Sequence, residues 1–384
     1  MVVYAEYPFS ETRVQREAEA LVEAGWEVDV LCLRTPGEPD RDSCNGVAVH
    51  RLPVDLDKRS LALQLASWTW FLVRAAARLT ALHRRRAYDT VQVHNLPDYL
   101  VFAAAVPKAS GATVVLDLHD LLPEFFAGRF GTERWPWLAR LVRLQERLSC
   151  RFADHVITVT DQWRDRLVER GVPADTITVV MNVADGRVFR PVPRPPDDGD
   201  GPSVIYHGTV TERYGLDLAL RAVDMLRDEL PGLHLTIRGG GDFVDDLHRL
   251  RAELDLEDRV DLVHTLVPLE DLPGIIGSHD LAVVPNRNDE FTDGILPTKL
   301  MEYAAVGIPA VAARTSAIEA YFADANVELF EPGDAADLAR GIRALAVDSA
   351  RRRELAARSH VFTDRHDWQA VRAGYVALME RLRG

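Results

Sequence analysis

Short runs of β-branched and aliphatic residues recur along the chain at intervals that leave room for one amphipathic helix between each pair. Val28–Leu33, Thr90–Val93, Thr113–Leu118 and His155–Val159 form a first series. Ser203–Tyr206, Leu233–Ile237, Val260–Val263, Leu281–Val284 and Ala310–Ala312 form a second. Runs without polar alternation are strands buried on both faces, and helices between them provide the crossovers of a parallel sheet. The pattern therefore predicts an α/β chain of two Rossmann-like units. Between the series lies Arg190–Pro202, rich in Pro, Gly and Asp, which cannot form a core and suits an exposed linker. Domains are expected at residues 1–190 and 203–365, with a helix over 366–384 apolar at helical spacing from Trp368 to Arg383.

The chain has 384 residues, enough for two such cores. Its formal charge of −14 is unevenly spread: residues 1–190 carry 24 Lys+Arg and 25 Asp+Glu, leaving 45 − 24 = 21 against 59 − 25 = 34 for the rest. An acidic chain lacks the footprint for nonspecific nucleic-acid binding, so no nucleic-acid partner is expected. Cys32, Cys44 and Cys150 show no metal-ligand spacing or disulfide framework, and the N-terminus has no secretory pattern, so a cytoplasmic location is expected. Asp55-Leu56-Asp57 and Asp198-Gly199-Asp200 have a metal-like spacing but fall in loop and linker, and no metal site is assigned.

Open α/β sheets bind ligands beyond the carboxyl ends of their strands. The first such loop, Tyr7-Pro8-Phe9-Ser10, lacks the glycine-rich turn of a dinucleotide site, which disfavours a nicotinamide dehydrogenase. Later loops carry His94-Asn95, His119-Asp120, Asn182, the stretch His207–Gly215, and Arg238-Gly239-Gly240-Gly241. Glycines there permit close backbone approach to a ligand, and helix starts downstream offer N–H groups to phosphate. The most specific stretch is Asp293–Ala310. Its turn at Gly294 leads through Leu296 and Pro297 into a helix starting at Thr298-Lys299, which Gly307-Ile308-Pro309 stops. The helix N-terminus and Lys299 suit a diphosphate, and Glu302, one turn on, can accept ribose hydroxyls.

These motifs resemble the retaining glycosyltransferases of family four, in a branch with the pattern Pro-Thr/Ser-Lys-Leu-x-Glu-Tyr-x-x-x-Gly-x-Pro, and the resemblance covers nearly the whole chain. It implies a GT-B fold of two facing Rossmann-like domains with a C-terminal crossover helix. It also implies an acceptor site on the first domain, a nucleotide-sugar site on the second, and no metal or other cofactor. His119 matches the family's His-Asp histidine near the donor sugar, with Asp120 beside it. Glu302 matches the second glutamate of a Glu-x7-Glu motif, but Gly294 stands where the first belongs, so Asp293 is expected to replace it. The usual phosphate-binding cations are missing from Gly208–Gly215, and Arg213 and Lys299 are expected to take over.

The expected donor side comprises Gly208, Arg213, Gly239, Gly241, Val267, Gly294, Leu296, Pro297, Thr298, Lys299 and Glu302; the acceptor side comprises His94, Asn95 and Asn182. The expected partners are a nucleotide-diphosphate sugar and a glycan or lipid-linked acceptor. A nucleotide-sugar epimerase or a catalytically degenerate binding protein remains an alternative. The uncharged run Leu61–Val73 is too short to span a bilayer. The cations after it, Arg74, Arg78 and Arg84-Arg85-Arg86, could hold the chain peripherally against the inner face of an anionic membrane.

Overall fold

A computed structural model of the chain describes residues 1–8, 12–54, 61–130, 136–193 and 201–383. The chain forms two compact units. Met1–Asn182 makes the first, which the chain rejoins at Ala370; Val183–Gln369 makes the second. The division falls ahead of the Pro-rich stretch because residues just after Asn182 pack with the second unit. Phe189 is buried, and the Val192 amide donates to the Val306 carbonyl.

The first unit holds an eight-stranded sheet. Its strands are β1 (Val2–Glu6), β2 (Asp29–Leu33), β3 (Arg41–Cys44), β4 (Val47–Leu52), β5 (Thr90–His94), β6 (Thr113–Leu118), β7 (His155–Thr158) and β8 (Ile177–Val179). They lie in the order β3-β4-β2-β1-β5-β6-β7-β8. All pairs are parallel except β3 with β4, joined through Asn45-Gly46, both at positive φ, the conformation that a two-residue hairpin turn demands. The order reverses between β1 and β5, which opens a crevice at the carboxyl ends of these strands.

The second unit holds a six-stranded, wholly parallel sheet. It comprises β9 (Ser203–His207), β10 (His234–Arg238), β11 (Val260–Val263), β12 (Leu281–Val284), β13 (Ala310–Ala313) and β14 (Val327–Phe330), ordered β11-β10-β9-β12-β13-β14. Its reversal point lies between β9 and β12. Val204, Tyr206, Leu235, Ile237, Leu281, Val283 and Val311 pack there against Leu216, Leu220 and Val223 of the helix Leu216–Met225.

The helix Trp368–Arg383 crosses back to the first unit. Its Tyr375, Leu378 and Met379 are buried with Val3, Val30, Val115 and Ile157. Tyr375 Oη donates to Gln92 Oε1 at 2.6 Å, and Thr113 Oγ1 donates to the Leu382 carbonyl at 2.8 Å. Removing the buried ring (Tyr375→Ala) should cost the first unit about 3–5 kcal/mol. Removing only the hydroxyl (Tyr375→Phe) should cost about 0.5–1.5 kcal/mol. Denaturant titration of both variants, followed by a probe in each unit, checks this: the second unit's transition should stay in place.

Candidate active site

Helix Thr12–Glu23 buries Arg13, Arg16 and Glu17, an unusual load of charge that the neighbouring sheet neutralises. Arg13 Nε and Nη2 donate to the two carboxylate oxygens of Asp117 at 3.0 and 3.1 Å, and Nη1 donates to the Val180 carbonyl at 2.9 Å. This two-pronged pair joins the helix to β6 and the end of β8. Burial alone would raise the Asp117 carboxyl, but Arg13 and His94 hold it well below the usual carboxylate range. Glu17 lies 3.1 Å from Arg13 and accepts from Gln92 Nε2 at 2.8 Å; burial wins there and lifts its carboxyl to about 7.

His94 and His119 stand at the ends of β5 and β6. His94 Nδ1 is 3.1 Å from Asp117 Oδ2. The His119 amide donates to Asn95 Oδ1 at 3.1 Å, while Asn95 Nδ2 donates to Asp98 Oδ1 at 3.0 Å and to the Asp120 carbonyl. Asn95 thus braces the His119-Asp120 turn from the neighbouring strand. His119 Nδ1 is buried without a hydrogen-bond partner, and burial pushes the imidazole down to about 4, Asp117 opposing. The ring is therefore neutral at physiological pH. His94, Asp117 and His119 present possible ligand atoms within 4.8 Å of one another. Asp117 is already matched to the Arg13 guanidinium, so a divalent ion would add a second positive charge to a buried carboxylate that is already neutralised. Asn182 Oδ1, at the end of the unit, accepts from Arg16 Nη2 at 2.7 Å.

In the second unit, β9 ends in His207-Gly208. His207 N–H donates to Tyr303 Oη at 3.2 Å, and its ring Nδ1 lies 3.0 Å from the same oxygen. The phenol hydrogen then goes to Nδ1, leaving Nε2–H to donate to Glu302 Oε2 at 2.6 Å. His207 so orients the carboxylate expected on the ribose. Lys299, on the helix Thr298–Val306, is buried, its Nζ 4.8 Å from the centre of the Tyr206 ring and 4.4 Å from that of Tyr214. Burial brings the ammonium down to about 8, against the pull of Glu302. Gly208 has φ +117°, and a Cβ there would lie 3.1 Å from Lys299 Cε, so the loop packs on the lysine stem. The N-cap residue of this helix is Pro297, whose side chain makes no cap hydrogen bond. Arg213 places its guanidinium 5.0 Å from the centre of the Phe291 ring.

Other expected residues have local tasks. A Cβ on Gly239 would stand 1.8 Å from the Gly208 carbonyl oxygen, and one on Gly241 would stand 1.9 Å from that of Val210. These glycines let two loops join backbone to backbone, with Gly208 N donating to Arg238 O and Val210 N to Gly240 O, both at 2.9 Å. Asp293 Oδ1 accepts from the Ser316 amide at 2.9 Å, which commits that oxygen to the start of helix Ser316–Phe322. Val267 is half-buried in the loop after β11, tied to the glycine loop where His264 Nδ1 meets the Gly239 carbonyl at 2.7 Å. Gly294, Leu296 and Pro297 are buried in the turn before the helix, whereas Thr298 is exposed. Sequence reasoning missed Arg13 and Asp117 as the support of His119, and Tyr206, Tyr214 and Tyr303 around Lys299 and His207. Tyr303 alone had a signal, since it follows Glu302. Asp55, Asp57, Asp198 and Asp200 lie outside the described residues.

Residues 10–183 match the family model of the glycosyl transferase 4-like domain, and residues 193–360 match that of glycosyl transferases group 1. Both halves of the chain are glycosyltransferase domains. Over 382 residues the chain is 28% identical to a glycogen synthase of Mycobacterium tuberculosis, covering 93% of this chain and 87% of that one. It is 30% identical over 201 residues to the putative colanic acid biosynthesis glycosyltransferase WcaL of Escherichia coli, 51% of this chain and 48% of that one. The fold is that of sucrose-phosphate synthase from Thermosynechococcus elongatus, with TM-score 0.81 and 19% identity over 99% and 98% of the two chains. HepE of Anabaena, in complex with UDP-glucose, superposes with TM-score 0.72 and 17% identity over 99% of both.

In this glycosyltransferase-family chain the neutral state of His119 is measurable. Its ring resonances should titrate near pH 4, against about 6.5 for an unperturbed imidazole. The unfolded chain takes up that proton at the higher pH, so His119 removes stability as pH falls from about 6.5 to about 4. His119→Asn should flatten that part of the stability profile; titration near 6.5 would contradict the half-buried, neutral ring.

Proposed function

We propose that the chain is a retaining glycosyltransferase that moves a sugar from a nucleoside-diphosphate sugar to a glycan or lipid-linked acceptor without a metal. The observation that carries this reading is the buried Lys299 at the start of a helix that follows Pro297, packed against Gly208 and one turn ahead of the His207-oriented Glu302. A cation at a helix N-terminus suits a diphosphate, and a positioned carboxylate suits a ribose. Arg213 supplies the second cation. The two glycosyltransferase domains and the UDP-glucose bound by HepE support the donor class. The three cysteines are free, as a reducing compartment such as the cytoplasm allows.

The anomeric carbon–oxygen bond to the diphosphate breaks and its electron pair leaves with the diphosphate. Lys299, Arg213 and the helix amides stabilise that growing charge. The acceptor hydroxyl attacks from the face the diphosphate is leaving, and its proton passes to a diphosphate oxygen, so the configuration at the anomeric carbon is retained. In the first unit the neutral His119 offers a hydrogen bond without adding charge, with Asn95 and the Arg13–Asp117 pair holding its turn in place.

Lys299→Ala and Arg213→Ala should each weaken nucleoside-diphosphate binding by about 1.5–3 kcal/mol, with much less effect on the unphosphorylated nucleoside. The free ammonium deprotonates near 8 and a bound diphosphate favours its charged form. Affinity should therefore be full below pH 8 and decline above it by up to about tenfold per pH unit; Lys299→Arg should abolish the decline. Calorimetry across pH checks this, and equal losses for nucleoside and diphosphate would place the phosphates elsewhere.

A further inference from the structure

Helix Pro136–Phe152 of the first unit is amphipathic in an inverted sense. Its buried positions are polar or small, namely Glu146, Ser149 and Cys150, with Glu146 bonded to Arg170 at 2.9 Å. Its exposed positions include Trp137, Leu141, Leu144 and Leu148, at 61, 52, 49 and 48% exposure. Steps of four, three and four residues put these four side chains on one stripe of the helix. A lone exposed leucine needs no explanation, but an aligned row of them marks a surface that meets something apolar.

The charges beside the stripe identify the occupant. Arg140, Arg143, Arg147 and Arg151 are exposed along the same helix, and its only acid, Glu146, is buried. Among the described residues no ion pair compensates these four cations, a strong local contrast on a chain of net charge −14. Two copies meeting through this face would set arginine against arginine, which disfavours self-association there. Leucine and tryptophan in a row, with arginines between them whose stems can lie along apolar surface while their heads stay in water, is the composition of a helix lying in the interface of an anionic bilayer.

The basic run in the second half of the long helix Leu61–Arg86 is less suited to this work. Arg86 Nη1 donates to Asp29 Oδ2 at 2.8 Å, Arg78 Nη2 lies 3.0 Å from His50 Nδ1, and Arg74 sits over the Trp70 ring. That helix does expose Leu63, Leu65, Trp70 and Val73, and it packs on the same turn, Asp98–Ala104, as helix Pro136–Phe152. Among the described residues no helix is long and apolar enough to cross a membrane, so contact would be peripheral.

We infer that the outward face of helix Pro136–Phe152 is a docking surface for an anionic lipid bilayer, with Trp137, Leu141, Leu144 and Leu148 entering the interface and Arg140, Arg143, Arg147 and Arg151 meeting headgroup phosphates. The inference does not depend on the donor reading. The test is flotation of the whole chain with vesicles of phosphatidylcholine alone or with phosphatidylglycerol, alongside sedimentation of the lipid-free protein. Wild type should float with the phosphatidylglycerol vesicles and lose that binding as salt is raised. The variant L141Q/L144Q/L148Q should bind them at least about tenfold more weakly, as should R140Q/R143Q/R147Q, with circular dichroism unchanged in both. The variant R84S/R85S/R86S should bind nearly as wild type. Failure of wild type to float, full binding by either helix variant, or a lipid-free dimer that the leucine changes dissolve would overturn the inference, the last by assigning the face to a second copy of the chain.

Discussion

The first unit is organised around a guanidinium buried on a carboxylate. Arg13 reaches both oxygens of Asp117 and the Val180 carbonyl, and so joins a helix, the middle of the sheet and its edge at one point. A pair this deep is costly to assemble and more costly to break, since loss of either partner leaves a buried charge unmatched. Its neighbours are arranged around it. Gln92 bridges Glu17 to Tyr375 of the C-terminal helix, His94 faces the carboxylate, and two residues further along β6 the chain turns at His119. The position of His119 thus rests on a network of buried charge centred on Arg13 and Asp117.

The second unit solves a different problem with smaller residues. Gly208, Gly239 and Gly241 let the loops beyond β9 and β10 meet backbone to backbone, and the space so gained is taken by the stem of Lys299. Tyr206 and Tyr214 then line the ammonium with ring faces, and burial lowers its affinity for a proton. A cation held in this way is poorly solvated. It gains from an arriving anion more than an exposed lysine would, because less water has to be displaced.

Much of this was legible in the sequence, and the exceptions have physical reasons. Strands such as Thr113–Leu118 and Leu281–Val284 are buried on both faces and read as unbroken apolar runs. By contrast β3, Arg-Asp-Ser-Cys, is polar and largely exposed, and only the Asn45-Gly46 turn betrays it. The Pro297-Thr298-Lys299 helix start and the helix Trp368–Arg383 were readable because their signals are local, whereas the return of that helix to the first unit was expected from the family resemblance. Arg13 with Asp117, 104 positions apart, was not, since no local pattern announces a contact that the sheet creates. Gly239 and Gly241, read as ligand-facing, also let two loops pack together, and Asp293 gives one oxygen to a helix start; composition alone cannot separate these uses. The apolar stripe from Trp137 to Leu148 was not singled out in the sequence, since helical period does not say which way a face points; its exposure does.

The account turns on Lys299 and Glu302 as the two ends of one nucleotide site. The most direct measurement is a crystal structure of the protein soaked with uridine, guanosine or adenosine diphosphate, whichever binds. The account predicts a phosphate oxygen within hydrogen-bond reach of Lys299 Nζ, at the start of helix Thr298–Val306, and ribose hydroxyls on the Glu302 carboxylate. A nucleotide bound with its phosphates away from Lys299, or with Glu302 still engaged only by His207, would contradict it.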